Sequence, residues 1–144
     1  MEIITHDVSQ TEETANKIAQ TLKIGDIVAL TGDLGAGKTA FTRGLAKGLG
    51  YLDRVTSPTF AIAHEYYCDD FTIFHFDMYR ISSADELYDL GFDDYLERNG
   101  IMIIEWSENI MDYLPIDIIT VDIKTLDENS RKITLGGKYE NLSF

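Results

Sequence analysis

Gly32-Asp33-Leu34-Gly35-Ala36-Gly37-Lys38-Thr39 is the stretch on which the fold of this chain turns. It fits G-x-x-x-x-G-K-[ST], the phosphate-binding loop that joins a strand to a helix. Each fixed position has a physical reason. Glycines let the backbone take positive φ and come close to an oxyanion. Successive N–H groups then converge into an anion nest, and the helix that follows adds its positively polarised N-terminus. Lys38 would reach the β- and γ-phosphates, and Thr39 would offer its hydroxyl to Mg²⁺. With glycine near 7% of ordinary sequence, a chance match in a chain of this length is roughly one in 200.

The flanks agree with the motif. Ile27-Val28-Ala29-Leu30 is an all-apolar run, as in a strand covered on both faces. After the loop, Ala40, Phe41, Gly44, Leu45 and Leu49 line one helical face, and Gly50 ends it. Upstream, Ser9-Gln10-Thr11-Glu12 has the form of a capping box, with Ala15, Ile18, Ala19 and Leu22 at helical spacing. That predicts a helix from about Gln10 to Leu22. Downstream, Phe60 to Tyr67 and Thr72 to Asp77 read as a hairpin. Ser83-Ala84-Asp85-Glu86 opens a short helix that Gly91 closes. Ile101 to Trp106 reads as a strand, apolar until Glu105. Ile116 to Ile123 alternates, and Arg131 to Leu135 is a pairing partner for it. The expectation is an α/β fold: a single P-loop NTPase-like domain over residues 1–144. Its central sheet is mixed and mostly parallel, flanked by helices and a β-hairpin insertion.

The chain has 144 residues, 44% apolar and 26% charged, which suits one globular domain. Lys and Arg number 12 against 25 Asp and Glu, a formal net charge of −13. Such a surface repels a polyanion, which argues against direct gripping of DNA or RNA. Four of the basic residues, Lys38, Arg43, Lys47 and Arg54, cluster around the P-loop helix. Asp85, Glu86, Asp89, Asp93, Asp94 and Glu97 form an acidic stretch, read as a solvated face or a docking surface for a basic partner. Cys68 is the single cysteine, so no internal disulfide forms. Met1 to Asp7 carries no leader pattern, and no run approaches the ~18 apolar residues of a membrane span. A cytoplasmic protein without membrane contact is expected.

A P-loop needs an acidic partner for Mg²⁺ at the end of a neighbouring strand. Two residues qualify. Glu105 follows Ile101-Met102-Ile103-Ile104, and Asp77 follows Phe74-His75-Phe76. Glu105 is the candidate metal partner, and Asp77 a catalytic or water-positioning acid. Pairing of Asp77 with Arg80 is the structural alternative. His75 reads first as a structural histidine and Trp106 as a core tryptophan.

Several further motifs occur in order: Thr42-Arg43-Gly44-Leu45, Ser57-Pro58-Thr59-Phe60, His75-Phe76-Asp77-Met78-Tyr79-Arg80, Glu86-Leu87 with Leu90-Gly91, and Ile104-Glu105-Trp106. With the P-loop, these resemble the TsaE family, also called YjeE. The resemblance covers about Thr14 to Pro115 and implies a P-loop ATPase that binds ATP with Mg²⁺ and hydrolyses it weakly alone. It implies work with two partner proteins, TsaB and TsaD, in threonylcarbamoyl modification of adenosine in tRNAs reading codons that begin with A. tRNA is then met only through the partners, in keeping with the net charge. By matching motif, Thr39 and Glu105 are the metal residues, and Asp77 and Lys38 the catalytic ones. Gly35, Ala36, Gly37, Lys38, Thr39 and Ala40 hold the nucleotide, with Thr11 and Arg131 as candidates for the base pocket.

Other P-loop functions are a small-molecule kinase, a GTPase and a non-hydrolysing ATP-dependent binding module. The chain shows no Arg-rich lid, and the guanine-reading N-K-x-D pattern is missing after the loop. An ATPase assay separates the binding module from the hydrolase.

Overall fold

The computed structural model describes residues 1–58 and 63–142. The strand before the P-loop, β2 (Ile27–Thr31), lies mid-sheet. The other strands are β1 (Glu2–Thr5), β3 (Ala63–Tyr67), β4 (Thr72–Asp77), β5 (Gly100–Glu105), β6 (Ile119–Thr125) and β7 (Arg131–Gly137). Among the described residues they form one seven-stranded sheet in the order β1-β7-β6-β2-β5-β4-β3. β6, β2, β5 and β4 are parallel; β1, β7 and β3 join antiparallel at the flanks. This is the mixed sheet with a parallel centre that the sequence predicts. β1 was not foreseen, and it pairs with β7 from Glu2 opposite Thr134 to Thr5 opposite Arg131.

Helices cover both faces. α1 (Val8–Ala19) and α2 (Lys38–Gly48) lie on one side, α3 (Ala84–Asp89) and α4 (Phe92–Glu97) on the other. Alternation along the strands feeds two cores. Val28, Leu30, Ile73 and Ile103 face Phe41, Leu45, Ala15 and Ile18. Ile27, Ala29, Phe74, Phe76, Met102 and Ile104 face Leu87 and Phe92. α1 and α2 approach closely: a Cβ on Gly44 would lie 2.3 Å from Glu12 O, and one on Gly48 2.6 Å from Ala19 Cβ. Arg43 Nε donates to Glu12 Oε1 at 3.0 Å beside this seam.

Several boundaries differ from the sequence reading. α1 starts at Val8, because Asp7 takes the cap in place of Ser9. Asp7 has extended backbone and accepts Gln10 N–H at 2.7 Å, while Gln10 Oε1 accepts His6 N–H at 2.8 Å. That reciprocal pair satisfies two N-terminal donors. Ser83 does cap α3, accepting Glu86 N–H, and Gly91 ends it with φ 71°. Asp85, Asp89, Asp93, Asp94 and Glu97 are exposed, as expected of the acidic stretch, while α4, which was not foreseen, buries Phe92 among them. The hairpin strand is described from Ala63; Phe60 to Ile62 lie outside the described residues, as does Thr59 of the Ser-Pro-Thr-Phe motif. β5 stops at Glu105, since Trp106 adopts left-handed backbone with φ 57°. Ile116 is fully exposed, and β6 begins only at Ile119. No helix among the described residues is long and apolar enough to cross a membrane.

Candidate functional site

The C-terminal ends of β2, β5 and β4 lie side by side, because β5 pairs with both of the others in parallel. In open α/β sheets this edge is where ligands bind. β2 delivers the P-loop. Two of its glycines are there for separate reasons. Gly32 lies against β6, where a Cβ would stand 2.5 Å from Ile123 O. Gly37 has φ 108°, left-handed backbone that opens α2 without a side-chain cap. The first N–H groups of α2 are thereby presented to the loop.

Lys38 folds back over this loop. Its ammonium donates to Gly32 O and, at 2.8 Å, to Asp33 O, and lies 4.0 Å from the centre of the Trp106 ring. Burial holds it below the ordinary lysine range, against the opposing pull of Glu108, Glu105, Asp33 and Asp77. Trp106 only partly joins the core and lines the cleft, in contrast to the core role expected for it. Its left-handed backbone turns the chain directly after Glu105.

The two acids are cross-strand partners, Asp77 on β4 opposite Glu105 on β5. Thr39 Oγ1 donates to Glu105 Oε1 at 3.1 Å. His75 Nε2 lies 2.5 Å from Glu105 Oε2, and Tyr66 Oη 2.9 Å from His75 Nδ1. His75 is therefore attached to the candidate site through Glu105. Asp77 accepts the Tyr79 N–H at 2.9 Å and the Ser57 hydroxyl at 3.2 Å. No ion pair joins Asp77 to Arg80, the alternative entertained for it, among the described residues.

A cleft of about 720 Å³ opens here, walled by Lys38, Thr39, Asp77, Glu105, Trp106 and Arg80, among others. Arg131 stands on the far side of the P-loop, with Nε donating to Ala36 O at 3.0 Å and Nη2 reaching Gly35 O at 3.5 Å. It braces the loop's carbonyls. Thr11 is buried and bonded to Thr5 Oγ1 at 2.8 Å and to Asp7 O, and it does not line the cleft. Ala40 is buried at the start of α2 and contributes to the cleft wall. Sequence reasoning did not reach Tyr66; its place is set by strand order and register.

The oxygen donors suit Mg²⁺, which takes few protein ligands and keeps waters and phosphate oxygens. No group of three or more His, Cys, Asp or Glu among the described residues forms a closed metal cage.

The family described as "Threonylcarbamoyl adenosine biosynthesis protein TsaE" matches residues 5–133. The chain belongs to the TsaE family. TsaE of Rickettsia typhi, named a tRNA threonylcarbamoyladenosine biosynthesis protein, is 44% identical over 96% of this chain and 97% of its own. The Bacillus subtilis TsaE of the same name is 40% identical over 96% and 88%. The crystal structure of Bacillus subtilis YdiB superposes with a TM-score of 0.78 at 35% identity, covering 97% of this chain and 88% of that one. This TsaE-family chain thus has a P-loop ATPase-type role.

Proposed function

We propose that this chain binds ATP with Mg²⁺, hydrolyses it slowly alone, and acts with TsaB and TsaD in threonylcarbamoyl modification of adenosine in tRNA. The observation that carries the reading is the 3.1 Å contact between the P-loop hydroxyl of Thr39 and Glu105, with Asp77 on the adjoining strand end. Thr39 and Glu105 would hold the metal, which when bound neutralises phosphate charge. Gly35 to Ala40 present backbone N–H groups to the phosphates, and Lys38 adds its charge. Asp77, held by the Tyr79 N–H and the Ser57 hydroxyl, would orient a water or the terminal phosphate. Arg131 remains the proposed base-side residue, through its grip on the P-loop; Thr11, buried and bonded to Thr5 and Asp7, offers a base little exposed surface. The relatives' names support the tRNA pathway.

The chain's net charge of −13 favours an output through partners over direct tRNA binding. The test measures modified tRNA per enzyme with TsaB and TsaD, with and without this protein. Repeated turnover only in its presence is expected. Equal multiple-turnover yields over a range of ATP concentrations would sink the reading.

A further inference from the structure

Tyr66, His75 and Glu105 lie on one diagonal of the sheet. His75 pairs across with His64 and Ile103, so Tyr66 is two residues beyond the first partner and Glu105 two beyond the second. Residues two apart in a strand share a face, and diagonal neighbours are within reach of aromatic and long side chains. All three are buried, His75 completely. The diagonal runs from β3 to the candidate metal acid.

Its contacts allow a relay of hydrogen bonds that runs from Tyr66 to Glu105. The Glu105 carboxylate accepts at Oε1 from Thr39 and at Oε2 from His75 Nε2–H. A neutral imidazole donating from Nε2 accepts at Nδ1, and Tyr66 O–H supplies that hydrogen at 2.9 Å. Thr56 O, 3.2 Å from the same hydroxyl, is a longer, competing acceptor for that one hydrogen and also lies 3.1 Å from His64 Nδ1. Burial pushes the Tyr66 hydroxyl up to about 12, so it stays protonated and able to donate at neutral pH.

We propose that Tyr66 and His75 are positioning residues for Glu105, fixing its carboxylate toward Thr39 so that one oxygen is held for Mg²⁺. This rests on the reading of Glu105 as the metal acid. Partners of this kind orient ligand groups, and their loss typically lowers metal affinity about 10–100-fold.

The test uses the full chain. ATP binding is measured by calorimetry across a Mg²⁺ series and in EDTA, for wild type, Tyr66→Phe, His75→Ala, His75→Gln and Glu105→Ala. Thermal unfolding runs alongside. Tyr66→Phe and His75→Ala should raise the half-saturating Mg²⁺ concentration at least about threefold, at the lower edge of such effects. Affinity in EDTA should stay within about twofold, and His75→Gln, which keeps a donor, should recover part of the loss. Imidazole ¹⁵N shifts of the wild-type protein should show His75 protonated at Nε2 and bare at Nδ1. This readout needs no variant to fold. The opposite tautomer overturns the relay. So does unchanged Mg²⁺ dependence in both variants while Glu105→Ala shifts it, or equal loss with and without Mg²⁺. Unchanged Mg²⁺ dependence in Glu105→Ala overturns instead the metal assignment of Glu105.

Discussion

Asp77 and Glu105 face each other across β4 and β5, yet different donors hold them. Glu105 is bound to the P-loop threonine and to a buried histidine. Asp77 is bound to a backbone N–H just beyond its strand and to a loop serine. One carboxylate is tied into the phosphate loop, and the other stands beside it, supported from outside the loop.

The two acids should therefore fail differently. Glu105→Ala is expected to weaken Mg²⁺-dependent ATP binding, because a hard oxygen donor is lost. Asp77→Ala should lower turnover more than affinity. Calorimetry and steady-state kinetics on both variants check the division; the reverse pattern means that the roles are exchanged.

Lys38→Ala should cost at least tenfold in ATP affinity or turnover, about 1.4 kcal/mol, the scale of a charge-assisted hydrogen bond. Titration calorimetry paired with an ATPase assay measures it. Both quantities unchanged would show that the phosphates do not meet this ammonium.

Trp106 is the single tryptophan, and it lies against Lys38 and 4.8 Å from the Tyr79 ring. Its emission should change as nucleotide enters the cleft, and the change should saturate with the calorimetric affinity. Trp106→Phe should abolish the signal. A flat titration at saturating nucleotide refutes the placement.

Tyr66 gives a prediction at alkaline pH. Its folded-state value, pushed up to about 12 by burial, exceeds the ordinary 10.0. Between the two, the unfolded chain has lost the proton and the folded chain has kept it. Stability attributable to Tyr66 is thus present below pH 10 and lost as pH rises through 12, by up to about 1.4 kcal/mol per pH unit. Urea unfolding as a function of pH should show a shallower alkaline decline in Tyr66→Phe. Identical slopes would contradict it.

The P-loop, β2 and α2 were legible because their signal is local: a glycine pattern between an apolar run and a helical face. Asp77 and Glu105 were legible because each ends an apolar run. β1 was not, since Glu2 to Thr5 has no distinctive pattern and is defined by pairing with β7, at the other end of the chain. α4 was hidden because Asp93 and Asp94 dominate a six-residue helix whose buried side is carried by Phe92. The start of α1 was misplaced because Asp7 and Ser9 are both good caps and only the backbone decides. The Tyr66–His75–Glu105 diagonal depends on strand order and register, which a single sequence does not state.

The spacing between α1 and α2 is set by the bare backbone of α2: at Gly44 and Gly48 it meets the main chain of Glu12 and Asn16 and only the Cβ atoms of Ala15 and Ala19 on α1. Sequence drift can repaint the outer surfaces of both helices while leaving this distance alone, but it cannot thicken the seam without prising α2 outward. The first residues of α2 close the phosphate loop, so the loop's position above the sheet is inherited with the seam. Shape can thus persist where identity has fallen to 35%, as it has between this chain and YdiB. In a protein proposed to work with partners, a constant frame would let the exposed faces diversify to match those partners while the nucleotide end keeps its geometry.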